Sequence, residues 1–215
     1  MKLLDVIIIN YNSTLPLLHC IDSLLNAESA ISLNIYVQDN ASSKKDDVDR
    51  LTRDFPEVRL VKNDRNLGFA KAVNNALNQG SAPYVLILNP DTLVQPGLLS
   101  DTMAYMEEHP GVGILGPMIF DGNGDIQGSA RAFPNLLTAL FGRKSILSKI
   151  FPNNPITREN ILTARSDGVT PMEVDWVSGA CMLVRRDAVD HVGLLDDKFF
   201  MYWEDADWCR RMWQK

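Results

Sequence analysis

Between Phe199 and Arg211 the chain sets three carboxylates, Glu204, Asp205 and Asp207, among five aromatic rings. Carboxylates are costly to crowd and costlier to desolvate, so a cluster wedged among apolar side chains is the pattern of a site that handles a proton or a cation. The same spacing also fits the start of an amphipathic helix, with Glu204 and Asp205 near the positive end of its dipole and Arg210 and Arg211 answering a turn later. A second acidic signal, Asn89-Pro90-Asp91, follows directly on the apolar run Tyr84-Val85-Leu86-Ile87-Leu88. A carboxylate at the end of such a strand can hold a hard divalent cation through oxygen. That cation could bridge the two phosphates of a nucleotide diphosphate and neutralise charge that grows as the diphosphate departs. Taken alone, Asp91 fits a helix or turn cap as well.

The elements that must position these groups alternate. Residues 6–10 form a continuous β-branched run, 15–26 carry helical spacing, and 33–38 read as a strand ending at Asp39-Asn40. A polar helix over 43–54, a strand over 58–61, a helix over 69–78 closed by Gly80 and a strand over 84–88 follow. Strands separated by single helices imply right-handed crossovers and an α/β fold whose mainly parallel sheet is covered on both faces, in three layers. Ligands of such sheets sit beyond the carboxyl ends of the strands. Those ends read Asn10-Tyr11-Asn12, Asp39-Asn40, Asn63-Asp64-Arg65-Asn66 and Asn89-Pro90-Asp91, all polar and all on one expected rim.

Beyond Asp91 the pattern loosens. A helix is expected over 98–108, a strand over 113–120, a turn at Asp121-Gly122-Asn123-Gly124 and a hairpin return over 125–131. Residues 134–171 are the least regular part; within them, apolar residues over 136–151 recur at helical spacing beside Arg143, Lys144 and Lys149. Two readings stay open there, a helix lying on a membrane surface and one covering its own sheet. Strands are expected over 173–177 and 181–184. They flank Ser178-Gly179-Ala180, a small-residue turn that lets a ligand approach the backbone.

A formal charge of -6 and a pI near 5.0 argue against a nucleic-acid partner, which demands a basic surface. With 215 residues, 46% of them hydrophobic, the chain suits one domain with a sizeable core. Cys20, Cys181 and Cys209 are an odd count at unrelated spacings, which fits reduced, buried thiols in a cytoplasmic protein. The N-terminal apolar run, broken by Asp5, is too short for a signal peptide or a membrane span. Residues 207–215 read as a helix without cap or exit loop, the pattern of a domain cut short. Gly111-Val112-Gly113-Ile114-Leu115-Gly116 matches the dinucleotide fingerprint letter for letter, but a helix precedes it and a strand follows, so the match is rejected.

Taken together, Ile7-Ile8-Ile9-Asn10-Tyr11-Asn12, Val37-Gln38-Asp39-Asn40-Ala41-Ser42, Asn66-Leu67-Gly68-Phe69-Ala70, Asn89-Pro90-Asp91-Thr92 and Trp203-Glu204-Asp205 resemble the ordered motifs of family 2 glycosyltransferases with the GT-A fold. The bacterial rhamnosyltransferase-like branch is the nearest pattern. The resemblance implies a Rossmann-like α/β/α domain over 1–215, with a nucleotide-binding half over 1–92 and an acceptor-side half over 93–215. It implies an inverting transfer of a sugar, rhamnose by this branch, from a dTDP- or UDP-linked donor to a glycan or lipid-linked acceptor in bacterial surface polysaccharide synthesis. The enzyme would work in the cytoplasm, with peripheral contact at the inner membrane face as the open membrane reading above.

Residue by residue, the resemblance puts Tyr11 and Asp39 at the base, and Asn66, Gly68, Ala70 and Asn89 on the rest of the nucleotide. It puts Asp91 on Mg²⁺ or Mn²⁺. Beside the acidic pair, Trp176, Tyr202 and Trp203 can stack on a sugar face, which makes Trp176 and Trp203 with Gly179 the acceptor-side residues, although Trp176 fits the core equally well. Glu204 and Asp205 match the family's acidic pair, whose second member is the general base; such a base contributes roughly 10²- to 10⁴-fold. Two departures stand out. Asn89 occupies the place of the first Asp of the family's metal motif, and none of His19, His109 or His191 stands where a family histidine completes the metal site. A catalytically weak nucleotide-sugar binding or regulatory module is therefore the competing reading. A sugar nucleotidyltransferase would need a Gly-rich loop where Asn10-Tyr11-Asn12 stands.

Overall fold

A computed structural model describes residues 2–27, 30–133 and 161–215, so the helical stretch expected over 136–151 lies outside the described residues. In chain order the elements are β1 (Lys2–Asn10), α1 (Thr14–Ala27), β2 (Ile31–Asp39), α2 (Lys45–Asp54), β3 (Arg59–Lys62), α3 (Phe69–Leu77) and β4 (Tyr84–Leu88). There follow α4 (Leu98–Glu108), β5 (Ile114–Leu115), β6 (Ala130–Arg131), β7 (Trp176–Val177), β8 (Cys181–Arg185), α5 (Arg186–Val192) and α6 (Glu204–Trp213).

The expected alternation builds a mixed sheet in the order β3-β2-β1-β4-β8-β5. Its first four strands are parallel, and β8 runs antiparallel to both neighbours. Along β1 the side chains divide by the two-residue period of a strand. Leu4, Val6 and Ile8 face α1 and α4, while Ile7 and Ile9 face α3 and α6. Both faces are covered, which is why β1 reads as a continuous apolar run rather than an alternating one. Each fully buried Leu or Ile contributes about 1.5–3 kcal/mol.

Asp5 interrupts that run and is 0% exposed. Its carboxylate accepts Arg186 Nη2 at 2.7 Å, the Ala82 amide at 2.9 Å and Asn34 Nδ2 at 2.9 Å. Those bonds satisfy the charge and pin the amino end of β1 to β2 and to the start of α5.

The second half departs from expectation in extent. The strand expected over 113–120 joins the sheet only through Ile114–Leu115. Pro117 has no N–H for a ladder, and Gly116 is so close to Val177 that an added Cβ would lie 2.9 Å from that side chain. The expected turn at 121–124 forms, with the Asp121 amide bonded to the Asp125 carbonyl at 2.8 Å and Phe120 bridging Ile126. Only Trp176–Val177 of the strand expected over 173–177 pairs, and it pairs with β6.

Because β8 is antiparallel, it begins at the edge where β4 ends. Cys181 pairs with Leu88, and the Asn89 amide donates to the Ala180 carbonyl at 2.9 Å. The turn at 178–180 therefore sits on the rim that the parallel strands define. Cys20, Cys181 and Cys209 are buried free thiols, each pushed up to about 12 by burial. Among the described residues no helix is long and apolar enough to cross a membrane.

Candidate active site

The carboxyl ends of β1, β2 and β3 are laced to one another. The Asn40 amide donates to the Asn10 carbonyl at 2.8 Å and the Asn63 amide to the Asp39 carbonyl at 2.9 Å. Below the rim, Asn10 is 0% exposed and donates to Asp39 Oδ1 at 2.7 Å; Ser42 donates to the same carboxylate through Oγ at 2.6 Å and through its amide at 3.1 Å. These bonds fix the turn after β2, where Ala41 has a left-handed φ of 61°. Asp39 thus serves as the anchor of its own loop. Tyr11 stands exposed at the end of β1.

A cleft of about 180 Å³ opens between the ends of β1 and β4 and the start of α3, lined in part by Asn66, Gly68, Asn89 and Asp91. It occupies the point where the strand order reverses, from β1 to β2 on one side and to β4 on the other. The Asn66 side chain accepts the Gly68 amide at 2.9 Å, and Gly68 turns the chain into α3 with φ 83°. Asn40 is 2% exposed and ties this loop down by donating to the Gly68 carbonyl at 3.1 Å while accepting Asn63 Nδ2 at 3.0 Å. The amino end of α3 faces the cleft, where backbone N–H groups and the helix dipole favour an anion. The Asp91 carboxylate is exposed and takes part in no hydrogen bond or ion pair among the described residues.

Asp205, in the first turn of α6, lies on the far side of the 178–180 turn. Its Oδ2 accepts the Gly179 amide at 3.1 Å, and its Oδ1 accepts its neighbour Ala206 at 2.8 Å. Burial pushes this carboxyl above its ordinary value, against the pull of those two amides and of the Arg131 charge. Glu204 is 5% exposed, with Oε2 meeting no donor; burial, and then the Asp205 charge, raise its proton affinity too. Asp207 instead pairs with Arg211 at 2.8 Å along the helix, which is the helix-supporting alternative realised at that position.

One turn of chain joins the two acidic centres. Ala180 accepts from Asn89 beside Asp91, and Gly179 donates to Asp205. A Cβ at Gly179 would stand 3.4 Å from the Phe69 ring, which lines the cleft, and 3.9 Å from Asp205 Cβ. Asp205 is therefore one residue's width behind the cleft wall. Beside it, Trp176 lies under the Arg131 guanidinium at 5.5 Å and tilts against Trp203 at 6.3 Å between ring centroids. Trp203 is 52% exposed, so the pair offers an aromatic face next to the carboxylate.

Of the residues expected at the nucleotide, Asn66, Gly68 and Asn89 line the cleft with Asp91. Ala70 is 0% exposed and turns its methyl into the core beneath α3. Ile9, Asn40, Phe69, Pro90 and Met201 also line it. Asn40 was legible as part of a polar strand end. Met201 had no signal, because it sits in an aromatic run whose backbone path no pattern predicts.

The cleft has little with which to cage a metal. Among the described residues no group of three or more His, Cys, Asp and Glu could hold one. One exposed, unpaired carboxylate fits a cation that takes its remaining ligands from phosphate oxygens and water, the habit of Mg²⁺. Asp91 suits that arrangement.

Residues 5–193 match the family described as Glycosyl transferase family 2. The chain is 36% identical over 166 residues to N-acetylglucosaminyl-diphospho-decaprenol L-rhamnosyltransferase of Mycobacterium tuberculosis, covering 71% of this chain and 52% of that protein. It is 22% identical over 208 residues to dTDP-rhamnosyl transferase RfbF of Shigella flexneri, covering 95% and 61%. The chain thus spans about half to three-fifths of the length of these relatives. In fold it is similar to S. aureus TarS 1-349, at a TM-score of 0.61 and 19% identity, over 99% of this chain and 55% of that one. Mannosyltransferase PcManGT from Pyrobaculum calidifontis, solved with GDP-Man and Mn²⁺, matches at a TM-score of 0.62 and 16% identity, over 95% and 50%. The architecture is therefore the GT-A fold.

Proposed function

Because the chain belongs to glycosyl transferase family 2, we infer that it moves a sugar from a nucleotide-diphosphate donor in the cleft to a hydroxyl of an acceptor resting on Trp176 and Trp203. The observation that carries this reading is the 178–180 turn, which bonds to the Asp91 loop on one side and to Asp205 on the other.

Each residue's task follows from its chemistry. Tyr11 and Asp39 border the base, with Asp39 shaping the loop that receives it. Asn66, Gly68 and Asn89 hold the ribose and phosphates, helped by the amino end of α3, and Ala70 supports that helix from beneath. Asp91 would hold Mg²⁺ or Mn²⁺, which would supply positive charge against the departing diphosphate. Asp205 takes the proton of the attacking hydroxyl. Its two amide bonds fix its orientation, and burial keeps its proton affinity closer to the working range of a base. A base reached from the side of Gly179, with the diphosphate held at Asp91, favours in-line attack and inversion. Residues 1–92 would then form the donor half and residues 93–215 the acceptor half.

Rhamnose as the sugar, dTDP or UDP as its carrier and a lipid-linked acceptor are carried over from the rhamnosyltransferase relatives and from the resemblance. Such an acceptor would bring the protein to the inner face of the membrane. Titrating dTDP and UDP with and without Mn²⁺ tests the scheme. Metal-strengthened binding that Asp91→Ala removes, with transfer abolished and donor affinity retained in Asp205→Asn, supports it. Metal-independent binding without turnover or donor hydrolysis would instead make the chain a nucleotide-sugar binding module.

A further inference from the structure

In the second turn of α3, Asn74 Nδ2 donates to the Leu195 carbonyl at 2.8 Å, and Asn74 Oδ1 accepts the Leu195 amide at 3.1 Å. One carboxamide thus meets both backbone groups of one residue, as a neighbouring strand would. Leu195 is also buried, in the core that holds Ala70, Val73 and Trp208. Burial fixes where that side chain sits, but apolar contact has no direction. Asn74 supplies the direction.

The three residues before Leu195 are gripped from the other side. Trp208 Nε1 donates to the Gly193 carbonyl at 2.8 Å, and Arg211 donates to the Val192 carbonyl at 3.1 Å and to the Leu194 carbonyl at 2.9 Å. Because α6 holds 192–194 and α3 holds 195, the two helices are referenced to one another through four consecutive residues. From there the chain runs to α6 with Phe200 to Trp203 48% to 72% exposed, and meets α3 again where the Phe200 carbonyl accepts the Phe69 amide at 2.8 Å. Tyr202 and Trp203 turn it through left-handed backbone, at φ 72° and 76°. Bulky residues keep that conformation only where the surrounding structure imposes it, so the ends of this strap must be held.

The amino end of α3 opens on the donor cleft, and Asn74 stands about 7.5 Å further along its axis. Asp205 stands in the first turn of α6. We propose that Asn74 is a positioning residue that registers α6 against α3 through Leu195 and thereby sets the Asp205 carboxylate at its distance from the donor. The donor and base labels rest on the transferase reading; the tie between the helices stands on its hydrogen bonds.

Amide exchange followed by NMR reads the register without turnover. The Gly179 amide, which donates to Asp205 at 3.1 Å, reports where α6 carries that carboxylate. In Asn74→Leu, similar in size but without polar atoms, the Leu195 and Gly179 amides should exchange on the order of tenfold faster. The Gly68 amide, held by Asn66, and the Asn89 amide, held by Ala180, should stay within about twofold of wild type. Asn74→Asp keeps an acceptor for the Leu195 amide but, when ionised, sets a second acceptor against the Leu195 carbonyl. Its Leu195 protection should fall at neutral pH and recover, relative to wild type at the same pH, as the introduced carboxyl is protonated near pH of about 4. Where transfer is measurable, Asn74→Leu should lower kcat about tenfold and leave nucleoside diphosphate affinity within about twofold.

Faster exchange at Leu195 with Gly179 unchanged would make the clamp a local one and overturn the proposal. So would unchanged exchange at both, a kcat within about twofold of wild type, or a loss of nucleotide affinity equal to the loss of kcat. If Asn74→Leu does not fold, Asn74→Asp decides at neutral pH: Gly179 protection reduced with that of Leu195 supports the register, and Gly179 protection equal to wild type refutes it. A wild type that binds nucleotide and transfers nothing would remove the transferase reading alone, with the Leu195 and Gly179 amides still deciding whether Asn74 sets the place of α6.

Discussion

Replacing Gly68 by alanine probes the junction on which the cleft is built, and the structure separates its cost into parts. With φ 83° and ψ 176°, Gly68 sits in a backbone region essentially reserved to glycine, which costs an L-residue about 1–3 kcal/mol. The new Cβ would overlap the Phe200 carbonyl oxygen and come within 2.9 Å of the Phe200 ring, so the bond from the Phe69 amide to that carbonyl must yield, at about 0.5–1.5 kcal/mol. The sum, about 1.5–4.5 kcal/mol, corresponds to a fall in Tm of about 3–18 °C for a domain of this size. Two controls isolate the parts. Gly124→Ala shares the positive φ, at 86°, with open space around it and should show the cost of that φ alone. Gly111→Ala meets nothing within 4 Å at an ordinary φ and should fall within about 0.5 kcal/mol of wild type. Urea unfolding of the three variants reads the stabilities, and nucleoside diphosphate titration reads the cleft, where only Gly68→Ala should weaken binding. If Gly68→Ala costs no more than Gly124→Ala, the loop at 199–203 does not bear on Gly68 as described.

Arg186→Met should cost about 3–5 kcal/mol in urea unfolding, because it leaves the Asp5 carboxylate buried and unpaired, and adding Asp5→Asn should restore part of the loss. Burial raises the Asp205 carboxyl above its unfolded value, so its protonated form stabilises the fold below that value and the benefit is lost as pH rises through the folded one. Asp205→Asn should accordingly gain stability relative to wild type as pH climbs from about 4 towards neutrality, as thermal unfolding across that range will record. The acid limb of kcat/KM should likewise fall above the ordinary Asp value of about 3.9, and a limb at or below it would count against Asp205 as the base.

The parallel half of the fold was legible because β1 and β4 are buried on both faces and the strands end in polar residues at one rim. Asn66, Asn89 and Asp91 were legible as members of those polar strand ends, and Gly68 through the resemblance of Asn66-Leu67-Gly68-Phe69-Ala70 to a family motif. The antiparallel entry of β8 was not, since a five-residue apolar strand carries no mark of direction. Pro117 and the close contact of Gly116 with Val177 cut β5 to a pair of residues, a tertiary effect on a stretch whose composition reads as strand. Asp5 read as a flaw in an apolar run, while its partner Arg186 stands far along the chain. The left-handed pair Tyr202 and Trp203 ran against residue preference, so nothing in the sequence pointed to it, or to Met201 reaching the cleft.

The reversed direction of β8 also bears on how such a protein can diversify. The chain between β4 and β8 leaves the rim at Asn89 and returns to it at Ala180, whose carbonyl ties the two ends by accepting the Asn89 amide at 2.9 Å and Thr92 Oγ1 at 3.5 Å. Lengthening an excursion whose feet are tied costs only about 0.6 kcal/mol per doubling. Descendants of one ancestor can therefore rebuild that stretch while Asp91 and the carboxylate proposed to take the proton stay where they are.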